Sequence, residues 1–436
     1  YVGTGHAPKL TRLGSKEWSR IKSRVRKSLE SITKDLLELY AKRSLKKGFR
    51  YSLDNSLLDE FIKDFEFEET KDQKRSWEEI CSDMEGERPM DRLLVGDVGF
   101  GKTEIAMRAA FKAIQDKRQV VLLAPTTVLV EQHYAVMKDR YLKYPINIEV
   151  LSRFRKDDSL KSSLELIRNG GVDLIIGTHR ILSKDVQFKD LGLLIIDEEQ
   201  RFGVKQKEVL KKMRENIDVL SMSATPIPRS LNMSLTGIKD ISILLEPPTG
   251  RKPIKTYLMK FEYEKIVDIL LREKHRGGQS YLVHNNINTI NTFVEKLKEL
   301  SPEISYVVGH GKMSGEVLSS VMRDFHANKY DVLVCTTIIE NGIDMPNVNT
   351  IIIDNAHNLG LSQLHQLRGR VGRSNQQAYC YAIYPKEFVP NSTAQKRLDM
   401  LIEAQALGSG FLIASKDLEI RGAGNLLGRE QSGNIC

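Results

Sequence analysis

Long apolar runs are lacking from this sequence. The longest, such as Leu191 to Ile196 and Val332 to Cys335, fall far short of the roughly 18 to 20 residues that a membrane-spanning helix needs. Low-complexity tracts and long blocks of one charge are also lacking, so the composition predicts a folded chain rather than a disordered one. CxxC pairs are lacking too, which fits neither a disulfide scaffold nor a zinc site and predicts a reducing compartment; the cysteines are Cys81, Cys335, Cys380 and Cys436.

The length predicts two or three domains, because domains average roughly 150 residues and the chain has 436. The first residue is Tyr1 rather than Met, and no charged and then apolar leader follows it. We therefore expect a segment of a longer protein.

Positive charge is concentrated at the beginning of the chain. The net charge is +9, and residues 1–50 hold 14 Lys and Arg against 4 Asp and Glu. Such a segment favours contact with a polyanion, although a solvated basic face explains the charge equally well. Apolar residues recur there every three or four positions from Trp18 to Leu39, which predicts one long amphipathic helix.

From about residue 90, short apolar and β-branched runs alternate with helical stretches of ten to fifteen residues, a pattern typical of parallel α/β structure. A Pro- and Gly-containing stretch at 246–253 predicts a linker between two such sheets. Glycine becomes frequent after about Ala394, which predicts a third, smaller element. The expected strands are Arg92–Val95, Gln119–Ala124, Asp173–Ile176, Leu193–Asp197 and Val219–Ser223, then Ser280–His284, Ser305–Val308, Asp331–Thr336, Thr350–Asp354 and Ala378–Tyr384.

A phosphate-binding loop follows the first expected strand. The run Gly96, Asp97, Val98, Gly99, Phe100, Gly101, Lys102, Thr103 matches GxxxxGK[ST] and opens a helical stretch. Glycines let backbone amides curl around phosphates at a helix N-terminus. We expect Lys102 to reach the β- and γ-phosphates of ATP and the Thr103 hydroxyl to hold Mg²⁺.

Two acids follow the apolar run Leu193 to Ile196. Asp197 and Glu198 would therefore stand at the tip of a buried strand, where open α/β sheets bind their ligands. We expect Asp197 to hold Mg²⁺ and Glu198 to polarise the water that attacks the γ-phosphate.

Two arginines mark the second predicted sheet. Arg370 and Arg373 lie three residues apart in Gln366-Leu-Arg-Gly-Arg-Val-Gly-Arg373, and this spacing predicts neighbouring positions on one helix face. Guanidinium groups suit a γ-phosphate that is bound by the other domain, as in an arginine finger. A basic surface loop would be the alternative if no phosphate-binding loop were present.

These motifs occur in one order along the chain and resemble those of superfamily 2 helicases. Several longer stretches of sequence resemble the motor segment of transcription-repair coupling factors. They are MDRLLVGDVGFGKTEIAMRAAF, DEEQRFGV, TPIPRSLNMSLTG and LGLSQLHQLRGRVGRS. The resemblance covers essentially the whole chain. The segment from Asp417 to Gly433 resembles the TRG motif, which that family shares with RecG.

The resemblance implies an α/β fold of two tandem RecA-like parallel-sheet domains, preceded by a long amphipathic helix and followed by a small helical hairpin and loop. The implied divisions are the end of a polymerase-interaction domain and a basic linker helix at 1–50, an ATP-binding domain at 51–246, a helicase C-terminal domain at 247–393, and the TRG hairpin and loop at 394–436.

The resemblance also assigns roles to individual side chains. Gln73 would recognise adenine, and Thr126, Thr178, Thr336 and Thr337 would contact DNA phosphates, for which short hydroxyl donors are suited. Ser223 and Thr225 would couple the nucleotide site to the DNA site. Arg421 and Gln431 would be the functional side chains of the TRG motif.

The resemblance implies an ATP-hydrolysing, Mg²⁺-dependent translocase on double-stranded DNA. The full-length protein would displace stalled RNA polymerase and recruit excision repair through UvrA, in the bacterial cytoplasm and nucleoid or in a plastid. A RecG-type branch-migration helicase is the alternative within the enzyme class. From a different class, the alternative is a catalytically silent scaffold, but the intact Lys102, Asp197, Glu198, Arg370 and Arg373 favour an enzyme.

Overall fold

Two parallel β-sheets, one after the other along the chain, organise the structure. The computed structural model describes residues 46–151, 157–214, 216–224, 240–337, 345, 347–372, 376–386 and 392–403. The expected helix from Trp18 to Leu39 and the site residues Thr225, Arg373, Arg421 and Gln431 lie outside these ranges.

The first sheet has seven described strands in the order β3-β4-β2-β5-β6-β1-β7, and every neighbouring pair is parallel. Its central strands are buried along nearly their whole length because helices cover both faces. The strands are β1 Asp91–Gly96, β2 Gln119–Leu123, β3 Ile148–Leu151, β4 Leu174–Gly177, β5 Leu191–Asp197, β6 Asp218–Ser223 and β7 Asp240–Leu244.

The second sheet has six described strands in the order β10-β11-β9-β12-β13-β8, again all parallel. The two sheets follow each other in tandem, which confirms the predicted fold class. The strands are β8 Lys255–Lys260, β9 Gln279–Val283, β10 Tyr306–Gly309, β11 Val332–Cys335, β12 Val348–Ile353 and β13 Tyr379–Tyr384.

Helices pack on both faces of each sheet. Successive residues of a strand therefore enter different cores: Leu122 faces one apolar cluster of the first sheet, and Val121 and Leu123 face the other. The described helices are α1 Ser56–Lys63, α2 Lys71–Met84, α3 Lys102–Gln115, α4 Thr127–Arg140, α5 Asp157–Asn169, α6 Val204–Met213, α7 Tyr263–His275, α8 Ile290–Leu300, α9 Gly315–His326, α10 Leu361–Arg368 and α11 Ser392–Glu403. Across the described ranges, none of them has the length and apolar character needed to cross a bilayer.

Three strands, β3, β7 and β8, were not expected from the sequence. All three are edge strands, so each has one neighbouring strand and a partly exposed face. An edge position does not require an unbroken apolar run. The sequence of β8, Lys-Thr-Tyr-Leu-Met-Lys, contains polar residues and no long apolar run. The strand was therefore not predicted, although it belongs to the second sheet.

Candidate active site

The phosphate-binding loop joins β1 to α3 and has the geometry that its glycines predict. Gly99 and Gly101 have φ of +80° and +85°, a region that other residues rarely adopt. Gly101 is the N-cap of α3, which begins at Lys102. The loop therefore ends at a helix N-terminus, where free backbone amides favour an anion.

Lys102 points back into this loop. Its Nζ donates to the carbonyl oxygens of Gly96 at 2.5 Å and Asp97 at 3.0 Å. Burial lowers the pKa of Lys102 to about 8, and the nearby negative charges of Glu198 and Asp197 oppose that effect only in part. The predicted phosphate-binding lysine thus stands beside both predicted acids.

Asp197 ends β5 and is held by a histidine. Nε2 of His133, on α4, lies 3.0 Å from Oδ2 of Asp197. Burial would raise the pKa of Asp197, but the hydrogen bond from His133 and the positive charges of Lys102 and Arg370 outweigh it and hold the pKa below its ordinary value. An ionised carboxylate at a strand tip is an oxygen ligand that suits Mg²⁺.

Glu198 differs from Asp197 in both backbone conformation and the direction of its pKa shift. Its φ of +48° and ψ of +52° are left-handed, and its amide donates to the Met222 carbonyl at 3.1 Å. Burial and then the negative charge of Asp197 raise the pKa of Glu198. Strained backbone and carboxyl groups with separated pKa values are features of functional sites.

The arginines of the second sheet differ from the prediction. Arg370 and Arg373 were expected on one helix face, but α10 ends at Arg368 with Gly369 as its C-cap, so that expectation is wrong for Arg370. Gly372 has φ of +75° and turns the chain away from a helical path. Arg370 is nevertheless buried, and its positive charge acts on Lys102, Asp197 and Glu198.

Side chains of α10 also bridge to the first sheet. Nε2 of His365 lies 3.2 Å from Oδ1 of Asp97 in the phosphate-binding loop, and Gln366 accepts from Arg201 at 3.4 Å. Arg368 donates to Nδ1 of His365 at 3.0 Å and to the Leu401 carbonyl at 2.9 Å. The cleft between the sheets is therefore crossed by hydrogen bonds beside the nucleotide site.

Gln73 lies against the same loop from α2. Thr70 and Gln73 form a reciprocal capping box at the start of that helix. The Gln73 Nε2 donates to the Phe100 carbonyl at 3.0 Å, and its Oε1 accepts from the Thr70 amide at 2.9 Å. The predicted adenine-recognition residue is thus adjacent to the phosphate-binding loop.

The hydroxyls predicted to contact DNA, and that of the predicted coupling residue Ser223, lie at or just after the carboxyl ends of parallel strands, but their environments differ. Thr126 caps α4 by accepting from the Leu129 amide at 3.4 Å. Thr178, Ser223 and Thr336 are buried, and Thr337 is partly exposed. Within the described part of the chain, the Thr178 hydroxyl has no hydrogen-bond partner. The DNA contacts of the four threonines and the coupling role of Ser223 stay predictions.

His133 and His365 were not among the candidates from the sequence. Each contacts a site residue that is distant along the chain, 64 residues away for His133 and 268 for His365. A histidine within a helix carries no local signal of such a partner.

Mg²⁺ stays a prediction, and the site offers oxygen donors that could hold it. Within the described ranges, no group of three or more His, Cys, Asp or Glu side chains could hold an ion. Mg²⁺ usually takes one or two carboxylates and completes its shell with phosphate oxygens and water. Asp197 and the Thr103 hydroxyl, at the loop end of α3, fit that donor set.

Comparison with known families identifies two domains. The profile of DEAD/DEAH box helicases matches residues 70–234, and that of the helicase conserved C-terminal domain matches residues 262–375. The first region contains strands β1 to β6 of the first sheet, and the second contains β9 to β12 of the second sheet. The matches confirm the predicted enzyme class, an ATP hydrolase of the helicase type.

Individual relatives agree with this assignment. Transcription-repair-coupling factors of Bacillus subtilis and Haemophilus influenzae are 52% and 50% identical over all 436 residues, which cover 37% and 38% of those proteins. The chain thus spans somewhat more than a third of their length. RecG bound to a three-way DNA junction superposes with a TM-score of 0.75 at 36% identity, over 92% of this chain and 55% of RecG. The chain therefore belongs to superfamily 2 of the helicases and translocases, and its full length is similar to a segment of the transcription-repair-coupling factors.

Proposed function

We propose that this chain is the ATP-driven motor of a double-stranded DNA translocase that acts in transcription-coupled repair. The main supporting observation is that Lys102, Asp197 and Glu198 from the first sheet share one electrostatic environment with Arg370 from the second. Because residues of both sheets form the site, ATP hydrolysis depends on the relative position of the two sheets. Relative motion of two domains is what a translocase needs.

ATP binding uses the phosphate-binding loop, and its residues have distinct tasks. Lys102 exchanges the carbonyls of Gly96 and Asp97 for the β- and γ-phosphates, because charged phosphate oxygens are the stronger acceptors. The amides of residues 97–103 surround the phosphates. Gln73, beside the loop, selects adenine.

The two carboxylates, Asp197 and Glu198, have different roles in hydrolysis, in accord with their opposite pKa shifts. Thr103 and Asp197 would hold Mg²⁺, which supplies positive charge to the phosphates. Glu198, with its raised pKa, accepts the proton of the attacking water. Arg370, together with Arg373, stabilises the charge that develops on the transferred phosphoryl group.

Coupling to DNA involves both sheets and the end of the chain. Thr126, Thr178, Thr336 and Thr337 contact the DNA backbone, Ser223 and Thr225 relay the nucleotide state, and Arg421 and Gln431 convert domain motion into movement along the duplex. For this purpose we divide the motor into residues 51–246 and 247–393, followed by 394–436. In the whole protein, the motor would displace stalled RNA polymerase and act with UvrA.

Displacement of a triplex-forming strand tests this proposal, because it reports movement along a duplex without strand separation. We expect the chain to displace the third strand only with hydrolysable ATP. Glu198→Gln is the matched control, which should bind ATP and DNA but displace nothing. ATPase activity that duplex DNA does not stimulate, together with no displacement, would contradict the proposal.

A RecG-type branch-migration activity is the second candidate. The 36% identity and TM-score of 0.75 to RecG favour it. Synthetic three-way junctions separate the two candidates. Junction unwinding at rates comparable to triplex displacement would support the RecG-type activity, whereas displacement without unwinding would support the translocase.

A further inference from the structure

The segment between the two sheets is bound to the nucleotide side of the first sheet. The amides of Leu245 and Glu246 donate to Oδ2 of Asp72 at 2.7 and 2.9 Å, and the Glu246 carboxylate accepts from the Lys71 amide at 3.0 Å. Asp72 and Lys71 belong to the helix that also carries Gln73. This part of the linker is therefore fixed to the first sheet.

A tight turn then directs Arg251 to the phosphate-binding loop. The Arg251 amide donates to the Pro248 carbonyl at 3.3 Å, and Gly250 has φ of +84°, as the third residue of a type II turn requires. The Arg251 guanidinium donates to the Val98 carbonyl and lies 5.3 Å from the centre of the Phe100 ring.

Gly99 makes this approach possible. A Cβ atom at Gly99 would lie 2.8 Å from Nη1 of Arg251, so any larger residue there would displace the guanidinium. The side chain thus lies against the loop from Val98 to Phe100. It contacts the loop itself and not only the surrounding surface.

The contacts have a consequence for the loop amides. In a loop that binds phosphate through its N–H groups, the carbonyl groups need other hydrogen-bond partners. The Phe100 carbonyl has Gln73 as its partner, and the Val98 carbonyl has Arg251. Two side chains from outside the loop therefore hold its backbone in the orientation that phosphate binding needs.

We propose that Arg251, a residue of the interdomain linker, is a positioning residue of the nucleotide site. It holds the phosphate-binding loop in the conformation that binds the phosphates of ATP and ADP. The inference rests on the proposed ATP chemistry. It goes beyond that chemistry by assigning a task to a residue outside the phosphate-binding loop, the acid pair and the arginines of the second sheet.

The position of Arg251 also locates the hinge between the sheets. The Pro253 carbonyl accepts from Nε2 of Gln377 at 2.7 Å, and Ile254 is buried in the core of the second sheet. Only Lys252 separates these contacts from Arg251. A change in the angle between the sheets would therefore pull on the residue that holds the loop.

Nucleotide binding to three variants tests the assignment. We expect Arg251→Ala to raise the Kd of a fluorescent ADP analogue and the KM for ATP about tenfold, because a charged hydrogen bond to a loop carbonyl is lost. The kcat should change less than about twofold, because Arg251 contacts no reacting atom. Lys252→Ala is the matched control, since it removes the adjacent exposed charge and should leave Kd and KM unchanged.

Arg251→Lys separates geometry from charge and serves if the alanine variant folds poorly. Lysine keeps the charge but cannot lie as a flat donor across Gly99 and Phe100. We expect it to weaken ADP binding several-fold at an unchanged melting temperature. Wild-type affinity in this variant, or equal affinity of Arg251→Ala and Lys252→Ala, would overturn the inference. If the wild-type chain binds nucleotide but fails to hydrolyse ATP, the proposed function fails while the binding test still decides the role of Arg251.

Discussion

His365 and Asp97 form a hydrogen bond across the cleft between the two sheets, with 3.2 Å between Nε2 and Oδ1. Arg368 donates to the other ring nitrogen, so Nδ1 is the acceptor and Nε2 carries the hydrogen that Asp97 accepts. The histidine is thereby fixed in one tautomer. Burial would raise the pKa of Asp97, but this hydrogen bond and the positive charges of Lys102 and Arg368 lower it.

The contact predicts that His365 and Asp97 act as one unit in ATP hydrolysis. We expect His365→Ala and Asp97→Ala each to lower DNA-stimulated kcat about tenfold, and the double variant to be little worse than either single variant. The reason is that either change removes the same link between α10, which precedes Arg370, and the loop. A double-mutant cycle on kcat measures the coupling.

Two further variants make this cycle decisive. His365→Gln retains an amide donor near the Nε2 position and should recover part of the activity. His275→Ala removes an exposed histidine of the same domain and should have no effect. Independent, multiplicative losses in the double variant would show that the two side chains do not act together.

Glu198→Gln should abolish ATP hydrolysis while ATP binding is retained. The amide keeps the shape of the side chain but cannot accept the proton of the attacking water. It also removes a negative charge beside Asp197, so phosphate binding should not weaken. Equilibrium ATP binding and steady-state turnover check both parts.

Glu199→Gln is the matched control for this change. Glu199 is the adjacent acid, but its carboxylate accepts from Ser221 at 3.1 Å and pairs with Arg214 at 2.7 Å. We expect this variant to lower thermal stability and to keep near-normal turnover. If Glu199→Gln rather than Glu198→Gln stopped hydrolysis, the roles of the two acids would have to be exchanged.

The sequence predicts those parts of the fold and site that depend on local patterns. The phosphate-binding loop and the buried strand that ends at Asp197 are contiguous motifs, and both lie where expected. His133, Arg251 and His365 escape prediction because their partners are 64, 153 and 268 residues away. The prediction of a helix through Arg370 is wrong for a local reason. It relied on the spacing of the arginines, although Gly369 and Gly372 are residues that end helices.

The pKa of Lys102 predicts that nucleotide binding is coupled to a proton near pH 8. Burial lowers this pKa to about 8 in the chain without nucleotide, and phosphates favour the charged ammonium. Below that pH the lysine is already protonated, so nucleotide binding takes up few protons. Above it, binding takes up a proton through Lys102, and the affinity for ADP falls as the pH rises.

Calorimetry in two buffers with different ionisation enthalpies measures this uptake directly. We expect uptake at about pH 8.5 that is nearly lost at about pH 7. Lys102→Ala is the control, because any proton exchange from the nucleotide or from other groups persists in it. Equal uptake in the wild-type chain and Lys102→Ala at about pH 8.5 would remove Lys102 as the source.

Arg370→Ala should slow ATP hydrolysis far more than it weakens ATP binding. Arg370 is buried beside Lys102 and the two acids, so its charge acts in a site where water screens it poorly. An arginine from the opposite domain interacts most strongly with the charge of the transition state, and its loss typically costs about 10³ or more in kcat. We expect a fall of about that size in DNA-stimulated kcat, with the Kd for ATP raised less than about fivefold.

Arg272→Ala, which removes an exposed arginine paired with Asp268 on the same domain, should leave both quantities unchanged. A variant with weakened ATP binding and normal kcat would show that Arg370 acts on the ground state, and the site would then lack its proposed contribution from the second sheet to catalysis.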